Sequence, residues 1–287
     1  MRTQLSPPEP IELSGPTALP AAGEVGRVER SARPGVLGPV MLVLARLGVV
    51  AVLVGIWQLG SSEGWWDPQT FGKPSGALSA LGDYLGSPRA ATSLRATGTA
   101  VLISFLVGSA SGTLAGLALG MSRRADTLLA PFLPAVNSLP RIALAPLFIV
   151  WFGLGTTSKV ALAVSYVFFV LAENARSAVQ SVDDDLRRMA QMNALGRIGT
   201  VTKVILPSAV PTMFGGLRLA FAYSLLGVIG SEMIAAPSGV GQDLLYFSSS
   251  YQINAVFGIL AAIVALAVAV NFLISALQRW ALRWQRV

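Results

Sequence analysis

Residues 181–211 read SVDDDLRRMAQMNALGRIGTVTKVILPSAVP. This is a polar interruption between two apolar runs, and it has the grammar of a surface helix. Ser181 is placed to cap a helix start with Asp184 three residues on. Asp183, Asp184 and Asp185 then fall in the first turn, where the helix dipole favours negative charge. Val182, Leu186, Met189 and Ala190 recur at helical spacing, giving one apolar stripe beside a charged face. Gly196 and Gly199 break the pattern, a second short helix follows, and Pro207 and Pro211 stop it. Successive aspartates on a helix point in different directions, so the triplet reads as a solvated start and not as a metal cluster. A helix pair of this kind, set between apolar spans, needs something to bury its stripe against.

The surrounding chain supplies the context. Its 287 residues are 53% hydrophobic and only 12% charged, against about 25% charged for a soluble domain. Polar surface on that scale is missing because the surface faces lipid, which predicts an all-α polytopic membrane protein. A formal net charge of +7 would suggest nucleic acid in a soluble protein; here it belongs to the loops, and no nucleic-acid partner is expected. The chain has no Cys and no His, which removes disulfides, thiolate chemistry, imidazole bases and the usual zinc ligands. Residues 1–35, with Pro7, Pro8, Pro10, Pro16, Pro20 and Pro34, cannot build a core and read as a disordered tail. The first long apolar run begins too far in for a secretory leader.

About six spans are expected, near 47–66, 97–119, 128–152, 159–172, 213–236 and 255–277, each set against the roughly 20 residues that cross the hydrocarbon. Arg46 marks one interface, and Trp57, Trp65 and Trp66 anchor the far one. Between the first two spans, the pattern from Leu78 onward predicts an interfacial helix. Gly108, Gly112, Gly116 and Gly120 put four small residues on one face of the second span, for close packing on another helix of the chain or, as the minority reading, of a second subunit. The third run is interrupted by Pro131, Pro134, Pro140 and Pro146, and a helix so interrupted lines protein or a cavity and not lipid. With the amino terminus inside, cytoplasmic segments collect Arg123, Arg124, Arg176, Arg187, Arg188, Arg197, Lys203, Arg279, Arg283 and Arg286 as well as the arginines of the tail. The other side holds only Lys73, Arg89, Arg95 and Lys159, so residues 181–211 are expected in the cytoplasm.

Residues 181–211 resemble the cytoplasmic coupling loop of ATP-binding-cassette (ABC) importer permeases, with its signature E-A-A-x3-G-x9-I-x-L-P. Laid without gaps on Val204-Ile205-Leu206-Pro207, the spacer is 195–203, the glycine position is Ala194, and E-A-A falls on Arg188, Met189 and Ala190. Arg thus replaces Glu, and Ala replaces Gly. The run NSLPRIALAPLFIVWFGLGTTSK is similar to a pattern of the nitrate, sulfonate, taurine and bicarbonate branch, matching at Pro140, Ala143, Pro146, Leu147, Trp151, Phe152, Gly153, Gly155, Ser158 and Lys159. Trp57-Gln58-Leu59, Lys73-Pro74-Ser75 and GGLRLAFAYSLLGVIGSEMIAAPSGVGQDLL resemble the same branch.

The resemblance implies a type I ABC importer-like permease domain over residues 36–287, in the cell (plasma or inner) membrane. ATPase-coupling residues would be Asp185, Arg188, Met189, Ala190, Met192, Asn193, Ala194, Leu195, Gly196 and Pro207. Partners would be a cytoplasmic ABC ATPase carrying ATP and Mg, an external solute-binding protein docking by the turn of Pro237, Gly239 and Gly241, and a second permease copy. Pathway candidates are Asn137, Pro140, Arg141, Pro146, Glu173 and Asn174. An intramembrane arginine at 141 would attract an anion such as a sulfonate or nitrate; pairing with Glu173 is the alternative. Arg218 and Glu232 read as structural anchors. No G-x-x-x-x-G-K-[ST] occurs and no nucleophile–base pair stands out, so the chain reads as no enzyme, with hydrolysis left to another polypeptide. Two rival classes stay open: a secondary transporter without an ATPase, although the repeats and ion-coupling residues it usually shows are not found, and a membrane-embedded enzyme, whose convergent polar residues within the spans are not found either.

Overall fold

The computed structural model describes residues 39–283; the expected tail, 1–35, lies outside them. The described chain is helical in the order α1 (Pro39–Ser62), α2 (Pro68–Phe71), α3 (Pro74–Leu85), α4 (Pro88–Met121), α5 (Arg123–Leu129), α6 (Phe132–Asn137), α7 (Ala145–Phe152), α8 (Thr156–Gln180), α9 (Asp184–Met192), α10 (Arg197–Thr200), α11 (Leu206–Ala235), α12 (Val240–Ser249) and α13 (Ile253–Ala281). Five helical stretches, Met41–Ser62, Pro88–Met121, Thr156–Gln180, Ile198–Ala235 and Ile253–Ala281, are long and apolar enough to cross a membrane. The chain is thus an all-α polytopic membrane protein.

Two compact units divide it, Met1–Ala51 and Val52–Val287. Of the first, the described part is the opening of α1, whose Leu44 and Leu47 are exposed as lipid-facing side chains are. The second holds the remaining helices. Within it, Trp66 donates to the Ser61 hydroxyl at 2.8 Å, Ser61 donates to the Gly72 carbonyl at 2.8 Å, and Trp57 packs edge-on against Phe257.

Local chemistry sets the helix starts. Prolines open α2, α3 and α4 in their first turns, where a missing N–H costs nothing. Asp67 and Ser87 accept from Gln69 N–H and Ala90 N–H as caps. The Ser87-Pro88 cap is why α4 begins at 88 and not at 97, where the apolar run begins.

The expected third span is not one helix. It is broken into α5, α6, the 3-10 turn Arg141–Leu144 and α7. Pro131 precedes α6, Pro140 precedes the 3-10 turn, and Pro146 sits in the first turn of α7, each where its ring and absent donor forbid a continuous ladder. The prolines expected to stop the chain at 207 and 211 do not stop it. Pro207 lies in the first turn of α11, Pro211 lies inside that helix, and the π-helical turn Val201–Ile205 runs straight into it. One missing donor per proline is tolerated there.

The interior is organised on α8, with α4 on one side and α11 on the other. Gly108 lies against Val167, Gly112 against the Phe168 backbone, Gly116 against Ala172 and Ala175, and Gly120 against Val179. A Cβ at Gly112 would come within 2.9 Å of Phe168 Cα, so glycine sets this approach of two backbones. Val101, Ala163, Phe221, Leu225 and Val228 form the buried apolar core beside it. Ser104 and Ser224 satisfy one another at 2.8 Å inside the core.

Candidate functional site

The segment 181–211 starts one residue pair later than its sequence suggests. Ser181 ends α8, with its N–H bonded to the Ser177 carbonyl at 2.9 Å. Asp183 provides the cap instead, its carboxylate accepting from the Asp185 N–H at 2.9 Å. The reason is that α8 runs on to Gln180, well past the apolar window expected to end at 172.

The apolar stripe of α9 divides in two. Val182 and Ala190 are buried, and Val182 packs with Val179 and Ile205 on the ends of the spans. Leu186 and Met189, expected on the same stripe, face outward. Met189 is 58% exposed, Met192 84% and Ile198 81%. The helix is therefore seated by one edge and presents an uncovered apolar ridge by the other. Asp185 and Arg188 lie on the exposed surface with 3.9 Å between charged atoms, a pair of little energetic weight.

The end of α9 is closed by backbone geometry. Leu195 N–H reaches the Ala190 carbonyl at 3.0 Å, and Asn193 N–H reaches the Met189 carbonyl at 3.1 Å. The Asn193 side chain donates to that same carbonyl at 2.8 Å. Ala194 between them has φ +53°, the left-handed conformation of a helix C-terminal cap, which glycine adopts at least cost. Gly196 is exposed, Leu195 half-buried, and Pro207 half-buried at the head of α11.

The six residues expected along a pathway do not form one cluster. Arg141 is only 6% exposed; it donates to Asn137 Oδ1 at 2.7 Å and to the Val136 carbonyl at 3.3 Å. Its guanidinium carbon lies 4.8 Å from the Phe169 ring centroid and 5.4 Å from that of Tyr166, within cation–π range. Pairing with Glu173 does not occur. Glu173 instead accepts from Arg176 at 3.0 Å. Arg141 has no carboxylate partner among the described residues. Asn174 packs against Gly216 of α11, and Pro140 and Pro146 are exposed.

Three buried or half-buried charge clusters were not legible as pairs in the sequence. Lys159 and Glu232 meet at 3.0 Å with side chains 4% and 0% exposed. The Thr97 hydroxyl accepts from Val240 N–H at 2.8 Å and donates to the Glu232 carboxylate; Gly241 N–H donates to the same carboxylate at 2.9 Å. Gly239, at φ +140°, leaves the room that Glu232 fills. A second cluster joins Arg89 to Asp243 at 2.6 Å, with the Tyr84 hydroxyl on the other carboxylate oxygen at 2.7 Å. Burial first, and then the hydrogen bond to Asp243, push the Tyr84 phenol above its ordinary range, so it remains a donor. In the third, Arg176 holds Asp126 of α5, with Gln180 donating to the same carboxylate at 2.9 Å. The hydrogen bond from Arg176 holds the Asp126 carboxyl below its usual value. The sequence signal for all three was a lone charge at the edge of an apolar run. No group of three His, Cys, Asp or Glu side chains suited to a metal occurs among the described residues.

Helical spans around a glycine-spaced interface, broken by prolines and carrying an outward apolar ridge on a polar connecting helix, define a polytopic membrane transport component. The chain belongs to the family described as binding-protein-dependent transport system inner membrane component, whose model matches residues 91–287. It is 27% identical over 235 residues to a Bacillus subtilis protein named as an aliphatic sulfonates transport permease, SsuC, covering 82% of this chain and 85% of that one. It is 27% identical over 247 residues to the taurine transport system permease TauC of Escherichia coli, covering 84% and 90%. Among solved structures, the inward-facing MetNI methionine ABC transporter matches with TM-score 0.61 at 16% identity, over 68% of this chain and 99% of that chain; the likeness is one of fold.

Proposed function

We propose that the chain is the permease subunit of an ATP-driven importer for a small anionic nutrient, and that two copies frame the pathway. A separate cytoplasmic ATPase drives it through residues 181–211. The observation that carries this reading is the outward ridge of Met189, Met192 and Ile198, on a segment whose charges otherwise suit water. Apolar side chains so placed mark a surface that another protein covers. Because Ala190 is buried and Val182 packs on Val179 of α8 and on Ile205 just before α11, a push on the ridge reaches the spans and is not absorbed in a loop. Closure of the ATPase on its nucleotide would draw the two copies of α9 together and turn the cavity from inward- to outward-facing.

Charge supports the orientation. Arg123, Arg124, Arg188, Lys203 and Arg279 fall at one end of the spans, and the bias of cations toward the cytoplasm supports a cytoplasmic placement of that end. The opposite turn of Pro237, Gly239 and Gly241 is then where an external binding protein delivers its solute. The substrate class rests on Arg141, which is buried, aromatic-walled and without a carboxylate, and on relatives named for sulfonates, taurine, nitrate and bicarbonate.

The test is uptake into proteoliposomes that hold the permease with its ATPase. Uptake should require ATP, and Met189→Asp should abolish it while the protein still inserts and folds, because a carboxylate would be trapped in an apolar contact. Uptake at full rate without any ATPase would overturn the proposal, as would unaltered uptake by Met189→Asp.

A further inference from the structure

Between α4, α11 and α13 lies a cavity of about 510 Å³. Phe221 and Leu225 floor it, with Val101 and Leu102 on one wall and Ile263 and Leu266 on the other. The two hydroxyls in its lining are already engaged, Tyr84 with Asp243 and Thr97 with Glu232. No side chain is left to recognise a polar solute, so the occupant is apolar.

Its length suits an extended apolar occupant. The lining runs from residue 94 to 105 on α4 and from 259 to 270 on α13, about 17 Å of helix at 1.5 Å per residue. A hydrocarbon chain lies along a slot of that length and of about 510 Å³.

Two further features point the same way. Gly98 lines the groove, and a Cβ built on it meets nothing within 4 Å. Glycine costs about 1 kcal/mol relative to alanine inside a helix, and no atom of the described residues requires the space. Arg95 stands on the same face as Gly98 and Leu102 by helical spacing, exposed and without an ion pair among the described residues. The acids near the groove, Asp243 and Glu232, are already held by Arg89 and Lys159. Asp83 is turned about 150° away from the Tyr84 and Leu85 face of α3. Arg95, one helical turn before Gly98 and outside the apolar lining itself, is thus a free cation beside the slot.

We propose that a phospholipid acyl chain occupies this groove with its phosphate on Arg95. Because Gly108 meets Val167 and Gly120 meets Val179, α4 runs parallel to α8. The Arg95 end therefore lies away from residues 181–211, and the lipid belongs to the leaflet on that side.

The full chain, reconstituted in nanodiscs, would be labelled with phosphatidylglycerol carrying a photoreactive diazirine in mid-chain, and the adducts mapped by mass spectrometry. Adducts should concentrate several-fold on residues 94–105 and 259–270 over the lipid-facing residues 41–56. Gly98→Trp should remove that excess with helicity unchanged. Arg95→Gln should keep the adducts but erase the preference for phosphatidylglycerol over phosphatidylcholine. Even labelling along all helices of the unaltered protein would overturn the proposal without recourse to any variant. So would unaltered labelling in Gly98→Trp together with loss of self-association by light scattering, which would assign the groove to a second copy.

Discussion

Ala194 carries backbone strain that its neighbours hold in place. Two hydrogen bonds, from Asn193 and Leu195, close the end of α9 around a φ of +53°, and a Cβ in that region costs about 1 kcal/mol. Ala194→Gly should therefore raise stability by about that amount, read as a higher thermal midpoint in detergent, with α9 in the same place. A lower midpoint would mean that the turn is held by contacts of the alanine methyl. Lys159 and Glu232 pose the opposite case, a charge pair wholly removed from water. Lys159→Met leaves the Glu232 carboxylate buried with only the Thr97 and Gly241 donors, and should cost about 3–5 kcal/mol. Adding Glu232→Gln removes the orphaned charge and keeps an acceptor, so the double variant should recover most of the loss. Equal destabilisation in the single and double variants would show that packing, not charge, is what the pair supplies.

The contact of α4 with α8 depends on what glycine omits. Gly112→Leu puts a side chain where the Phe168 backbone lies within 2.9 Å of a Cβ, so the helices must part or the protein must misfold. We expect loss of at least 1–3 kcal/mol of stability; in contrast Gly55→Leu on α1, where a Cβ meets nothing within 4 Å, should be neutral. Comparable losses at both sites would point to a general intolerance of bulk in place of a specific interface. This interface was readable in advance because its period is local: four glycines at intervals of four declare a helix face. The helix ends were less readable. Hydropathy places the end of α8 near 172, yet the helix persists to Gln180 because Arg176 and Gln180 find Asp126 on α5. That extension moves the cap of α9 from Ser181 to Asp183. The charge pairs were not readable at all, since Lys159 and Glu232 stand 73 residues apart and Arg89 and Asp243 stand 154 apart. Only the packing of α8 on α11 and the fold of α12 back toward α4 bring them together.

Taken across its length, the chain gathers most of its exposed cations at one end of the spans. Residues 123, 124, 188, 203 and 279 lie at that end, joined there by the ridge of α9 and by the Asp126–Arg176 tie between α5 and α8. The other end pairs two of its cations in place, with Asp243 taking Arg89 and Glu232 taking Lys159, and leaves Arg95 unpaired among the described residues. A membrane reads that difference as direction, because cations resist transfer out of the cytoplasm and paired charges carry no such signal. The absence of native cysteine makes the direction measurable with single substitutions. In right-side-out membranes, Tyr251→Cys, at a residue 84% exposed on the turn before α13, should react with a membrane-impermeant maleimide. Met192→Cys, equally exposed on α9, should react only after the membrane is opened, and then less when the ATPase is present, because the ridge is covered. Reaction of Met192→Cys from outside would invert the topology and remove residues 181–211 from the reach of any cytoplasmic motor. Equal reaction with and without the ATPase would leave the topology standing and move the contact off the ridge.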